Sequence, residues 1–86
     1  MKAKLFCYKL GKVDEAIRNK FRKELLGHND SSHGGKYQYK RKGILDKIWN
    51  KKPIRSVIIV KDKDVNVIKQ FLEKYNAKYE LFNVTL

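Results

Sequence analysis

Ile54-Arg55-Ser56-Val57-Ile58-Ile59-Val60 reads as the clearest strand of the chain. It is rich in β-branched residues, and Val57 to Val60 is apolar on both faces. A strand apolar on both sides belongs inside a sheet rather than at its rim. One other stretch has that character: Leu5-Phe6-Cys7-Tyr8, the middle of a strand over Lys2–Leu10 that Gly11 ends. These two form the expected centre, and the remaining elements are arranged around them.

Between them, Val13, Ile17, Phe21 and Leu25 recur at i, i+4 spacing and predict a helix over 13–26. Asp14 and Glu15 favour its first turn, and Gly27 supplies its stop. Arg18, Lys20, Arg22 and Lys23 on the opposite side read as a solvated face. His28 to Gly35, with Asn, Asp, two serines and paired glycines, reads as a loop. Lys36 to Lys42 alternates, with Tyr37, Tyr39 and Arg41 on one side and Lys36, Gln38, Lys40 and Lys42 on the other, as expected of an edge strand. Ile44, Leu45, Ile48 and Trp49 have the spacing of a short helical turn, which Lys51, Lys52 and Pro53 break. Asp62 or Asp64 caps a second helix to about Tyr75, with Val65, Ile68, Phe71, Leu72 and Tyr75 inward and Asn76 as its left-handed stop. Lys78 to Thr85 is a last strand.

The order strand, helix, strand, strand, helix, strand predicts an α+β, ferredoxin-like βαββαβ sandwich. Its four-stranded, mainly antiparallel sheet carries two helices on one face, and its first and third strands lie side by side at the centre, joined by right-handed crossovers. Residues 1–86 are expected to form a single α/β domain, with 28–43 as its basic loop-strand segment. The sheet face without helices presents either Val57 and Ile59 or Ile58 and Val60. Such a row invites a homodimer through the open face, or cover from Ile44–Trp49. Trp49 is expected to anchor its turn through an N–H to a carbonyl, and Cys7 to be a small buried residue of an interior strand.

Composition narrows the class of partner. The formal net charge is +12 over 86 residues, with 42% hydrophobic residues, so the chain folds yet repels itself strongly. That balance points to nucleic acid or another polyanion. The lone Cys7 makes an intrachain disulfide impossible and fits a reducing interior. Met1 to Leu10 has no continuous apolar core of the signal-peptide kind, and Val57 to Val60, the longest wholly aliphatic run, is too short to span a bilayer. A cytoplasmic protein without a membrane partner is the expectation.

Between His33 and Lys61 stand nine Lys or Arg residues against the single acid Asp46. Lysines neutralise phosphates and tyrosines offer flat faces for unpaired bases. Paired glycines let backbone N–H groups approach an oxygen. The nucleic-acid-binding residues are therefore read as Ser31, Ser32, Gly34, Gly35, Lys36, Tyr37, Tyr39, Lys40, Arg41 and Lys42, helped by Lys47, Lys51, Lys52 and Arg55. With 17 lysines to 4 arginines, diffuse phosphate contact outweighs bidentate base reading, so weak sequence preference for RNA or DNA is expected.

Leu5-Phe6-Cys7-Tyr8-Lys9-Leu10 resembles the first-strand signature of the RNA-recognition motif. The resemblance covers six residues. Ile54–Val60 holds none of the alternating aromatics that family carries on its third strand, and the family is not assigned. An alternative from another class is a metal-independent phosphodiesterase or ribonuclease using His28 or His33 as acid or base. The five-residue spacing of the histidines matches no metal signature, and neither metal nor cofactor is expected. A third reading is a dimeric protein-interaction subunit.

Overall fold

The computed structural model describes residues 1–32 and 37–86. His33, Gly34, Gly35 and Lys36 lie outside the described residues, as do the side chains of Ser31, Ser32, Tyr37 and Gln38. The elements are β1 (Lys2–Lys9), α1 (Glu15–Leu26), β2 (His28–Ser32), β3 (Tyr37–Arg41), a 3₁₀ turn at Ile44–Asp46, β4 (Asn50–Lys51), β5 (Val57–Lys61), a second 3₁₀ turn at Asp62–Asp64, α2 (Val65–Lys74) and β6 (Lys78–Thr85). The fold is mixed α+β, with a four-stranded antiparallel sheet and two helices. Contacts divide the chain into two compact units, residues 1–13 with 49–86 and residues 14–48. No helix among the described residues is long and apolar enough to cross a membrane.

In the first unit the sheet runs in the order β4-β5-β1-β6. The doubly apolar strands β1 and β5 are neighbours at its centre, as their composition requires. Their relative direction is not the one expected. Ala3 pairs with Lys61 and Cys7 with Val57, an antiparallel register, where the ferredoxin-like arrangement has this pair parallel. β6 is also antiparallel to β1, from Lys2–Thr85 to Lys9–Lys78. β5 and β6 therefore run parallel to each other on either side of β1, and α2 carries the chain between them, as a parallel pair demands. The ladder extends to the ends, where the Leu86 N–H donates to the Met1 carbonyl at 2.8 Å.

Residues opposite one another in this register share a face. Phe6, Ile58 and Val60 lie on one face and are fully buried. On that face the Tyr79 hydroxyl donates to Glu73 Oε1 of α2 at 3.2 Å. The inner side of α2, Ile68, Phe71 and Leu72, is buried as its periodicity predicts. Burial of each such side chain contributes roughly 1.5–3 kcal/mol. Asn76 stops the helix at φ 54.

The other face carries Leu5, Cys7, Val57, Ile59 and Phe82. Ile59 is buried, while Phe82 is 48% exposed. Cys7 is exposed, contrary to its expected burial, because it points to the side away from Phe6 and Ile58. Trp49 meets this face at its corner, with Lys61 Nζ 5.8 Å from its ring centroid. Ile54 to Ser56 do not join β5: they form a turn in which Ile54 is exposed and Ser56 takes φ 68.

The second unit holds α1, β2, β3 and the first 3₁₀ turn. His28–Ser32, expected as loop, is a strand, and the expected edge strand pairs with it rather than with the main sheet. Asn, Asp and Ser are poor strand formers alone. Here β3 supplies the ladder, and Arg41 Nε reaches across to Asp30 Oδ2 at 3.2 Å.

Candidate nucleic-acid interface

The site in the helix-hairpin unit begins with the ends of α1. Asp14 caps it, Oδ1 accepting the Ile17 N–H at 2.9 Å. Gly27 ends it at φ 79 and ψ 176, a conformation open essentially to glycine alone, with its N–H donating to the Lys23 carbonyl at 2.8 Å. The chain turns back through the hairpin and returns to the same spot at Gly43. A carboxylate holds that return: Asp46 Oδ2 accepts the Gly43 N–H at 2.9 Å, and Oδ1 lies 3.4 Å from Lys40 Nζ. The Gly43 hydrogen bond first, and Lys40 and Lys42 after it, hold the Asp46 carboxyl below the ordinary carboxylate range against the opposing effect of desolvation.

Alongside this contact lies a cleft of about 670 Å³. Ala16, Asn19, Lys20, Lys23 and Glu24 of α1 line it, together with His28, Lys42, Gly43, Ile44 and Lys47. Lys20 and Lys23 stand three residues apart on one helix face. Four lysines, Lys20, Lys23, Lys42 and Lys47, thus line one cleft, and Glu24 is the one acidic residue of its lining. His28 Nδ1 is buried and has no hydrogen-bond partner among the described residues. Lysine ammonium groups are donors of the kind that anionic oxygens accept.

The hairpin sorts the cations that the sequence counted alike. Arg41 is engaged by Asp30 and lies over Tyr39, its Cζ 4.9 Å from the ring centroid. Lys40 is engaged by Asp46. Lys42, the last of the three, lines the cleft. Tyr39 is 44% exposed and offers an aromatic surface beside the guanidinium.

Of the sequence-predicted site residues, His28, Lys42 and Lys47 come together in the cleft. Tyr39, Lys40 and Arg41 occupy the hairpin of the same unit, while Lys51, Lys52 and Arg55 belong to the sheet unit. His33, Gly34, Gly35 and Lys36 lie outside the described residues, and Ser31, Ser32 and Tyr37 are described only through their backbone pairing. Lys20 and Lys23 were not foreseen as site residues. Their spacing was legible, but the segment that faces them, Lys42–Lys47, is brought there by the Gly27–Gly43 approach.

No protein-family model, curated protein or solved structure matches the chain.

Proposed function

We propose that the chain is a small, non-catalytic nucleic-acid-binding protein that takes the phosphate backbone of RNA or DNA in the α1–hairpin cleft. What supports it is that Lys20, Lys23, Lys42 and Lys47 line one cleft in which Glu24 is the one acidic residue. Lysine amines make point-charge contacts with little base discrimination, which supports weak sequence preference. Tyr39 adds a stacking surface that favours single strands. A cytoplasmic setting keeps the exposed Cys7 as a thiol.

The test is oligonucleotide affinity measured against salt by fluorescence anisotropy. Four phosphate contacts on a single strand give a log–log slope of roughly −3. The double substitution Lys20→Ala, Lys23→Ala reduces that slope by about 1.4. An unchanged slope, or no binding even in dilute buffer, rejects the reading.

One observation favours a second reading, in which the same cleft hydrolyses phosphodiesters: His28 lines it, and its buried Nδ1 has no hydrogen-bond partner among the described residues. In that case His28→Ala loses turnover and keeps affinity. Absence of cleavage by the unaltered protein rejects it.

A further inference from the structure

The central sheet has two edges, and they differ. At one, β4 is two residues long and is followed by Lys52 and Pro53, so charge and a missing N–H block further pairing. At the other stands β6, eight residues long, mostly exposed and without proline or glycine. Its register with β1 runs unbroken from Lys2–Thr85 to Lys9–Lys78, so no bulge turns it aside. Among the described residues no strand pairs with its outer side.

Met1 and Leu86 show which backbone groups that side leaves open. They exchange two hydrogen bonds, the Leu86 N–H to the Met1 carbonyl at 2.8 Å and the Met1 amine to the Leu86 carbonyl at 2.7 Å. In an antiparallel ladder such bonded pairs alternate with unbonded ones. Val84, Phe82, Glu80 and Lys78 therefore point their N–H and C=O groups at β1, while Tyr79, Leu81, Asn83 and Thr85 point theirs outward. Tyr8 shows the same alternation: opposite Tyr79, it turns its N–H the other way, to the Ser56 carbonyl at 3.0 Å.

We propose that this edge pairs antiparallel with β6 of a second copy of the chain, about a two-fold axis at Phe82. An axis perpendicular to the sheet keeps each face on its own side, so odd residues oppose odd ones and even oppose even. Centring it on Phe82 sets Tyr79 against the partner's Thr85 and Leu81 against the partner's Asn83. All four outward residues then exchange bonds. The exposed Phe82 meets the partner's Phe82 at an unbonded position, where opposed side chains are closest. Ile59, Leu5 and Phe82 form one row across the sheet, so the pairing joins two apolar rows end to end. Charge favours a like partner here: β6 carries one lysine, Lys78, and one glutamate, Glu80, in a chain of net charge +12. Two copies can meet along it without setting cation against cation. The contact belongs to the sheet unit and does not depend on what occupies the α1–hairpin cleft.

The test is amide hydrogen exchange by NMR on the full chain free of nucleic acid, with sedimentation equilibrium alongside. Samples at about 20 μM and about 1 mM, in salt that screens the net charge, bracket the weak affinity of a small interface. The chain is expected to dimerise across that range. The Tyr79, Leu81, Asn83 and Thr85 amides are expected to exchange about fivefold or more slowly in the concentrated sample, while the Glu80 and Phe82 amides, bonded to β1, are protected in both. Phe82→Lys sets two ammonium groups opposite each other at the axis and is expected to weaken dimerisation about tenfold or more. Lys20→Ala with Lys23→Ala is expected to leave both readouts alone, so failure of the cleft and failure of the edge are seen separately. A chain still monomeric at the higher concentration overturns the proposal. So does a dimer whose four outward amides exchange as in the dilute sample, or one that Phe82→Lys leaves equally tight.

Discussion

Gly27 and Gly43 meet backbone to backbone. A methyl group on Gly43 would press into the Gly27 amide nitrogen and come within 2.6 Å of the Leu25 carbonyl oxygen; one on Gly27 would lie 2.8 Å from the Gly43 nitrogen. Gly43 itself sits at φ −94, so its requirement is for space and not for a special conformation. All the atoms it would strike are backbone atoms, which cannot swing aside. Gly43→Ala is therefore expected to destabilise the protein by about 1–3 kcal/mol. That lowers the melting temperature by several degrees, roughly 4–8 °C per kcal/mol in a domain of this size. Gly11→Ala is the control: a methyl there meets nothing within 4 Å and leaves the melting temperature unmoved. A Gly43→Ala protein that melts like the unaltered chain would remove the contact from any role in shaping the cleft.

Tyr39 separates stacking from charge. Its ring is exposed beside Arg41, and the alternation of β3 carries both to one side of the hairpin. If an unpaired base lies on that ring, Tyr39→Ala weakens single-stranded oligonucleotide binding by about 1–3 kcal/mol and duplex binding hardly at all. Tyr39→Phe keeps the affinity, because the face and not the hydroxyl carries the contact. Equal losses for single and double strands in anisotropy titrations would assign Tyr39 to the fold alone.

Elements whose signals are local were legible in the sequence. Gly27 and Asn76 end their helices as expected and Lys78–Thr85 is the last strand, while Asp14, expected inside the first turn of a helix from Val13, is instead the N-cap of one that begins at Glu15. The neighbours β1 and β5 followed from being apolar on both sides, a property that each carries in its own residues. The sense of their pairing did not follow, because direction is decided by connections far along the chain. His28–Ser32 was hidden for a related reason: its strand character comes from the ladder with β3 and from Arg41 reaching Asp30, and its own composition favours turns. The candidate site was half legible. Lys42 and Lys47 stood out by charge, whereas Lys20 and Lys23 become site residues only through a contact between glycines sixteen positions apart. Charge counting also hid which cations are already engaged: Lys40 and Arg41 meet carboxylates within their own unit.

Asp46 gives the helix-hairpin unit an acid limit. Its carboxyl is held below the ordinary value of about 3.9, chiefly by the Gly43 N–H and then by Lys40 and Lys42. A group with a lowered folded-state pKa adds stability that is fully present above the unfolded value and lost as pH falls through the folded one. The Gly43 amide signal is thus expected to hold steady from neutral pH to about pH 4 and to shift below it. Asp46→Asn should abolish that acid transition at Gly43 while keeping an oxygen able to accept the hydrogen bond. The check is a pH titration by NMR in both proteins. A Gly43 midpoint above the ordinary carboxylate value would contradict the assignment.

Lys52 sets the opposite dependence at the alkaline end. Its ammonium lies below the ordinary lysine range, through burial first and Arg55 second. The unfolded chain therefore holds that proton more tightly than the folded one. Stability is diminished while Lys52 is charged and recovers as pH rises through the folded-state pKa toward about 10.4. Lys52→Met removes the ammonium and keeps a stem of similar shape against Tyr8. Screening at so accessible an amine makes the effect small, and the melting temperature at pH 7 is expected to rise by about 1–3 °C. As the pH rises toward 10 and above, the advantage of Lys52→Met should shrink, because the native amine gives up its charge earlier than an ordinary lysine. Paired thermal melts at the two pH values test this. A variant less stable than the parent at pH 7 would mean that the Ile54 hydrogen bond outweighs the charge relief, leaving Lys52 as a structural donor.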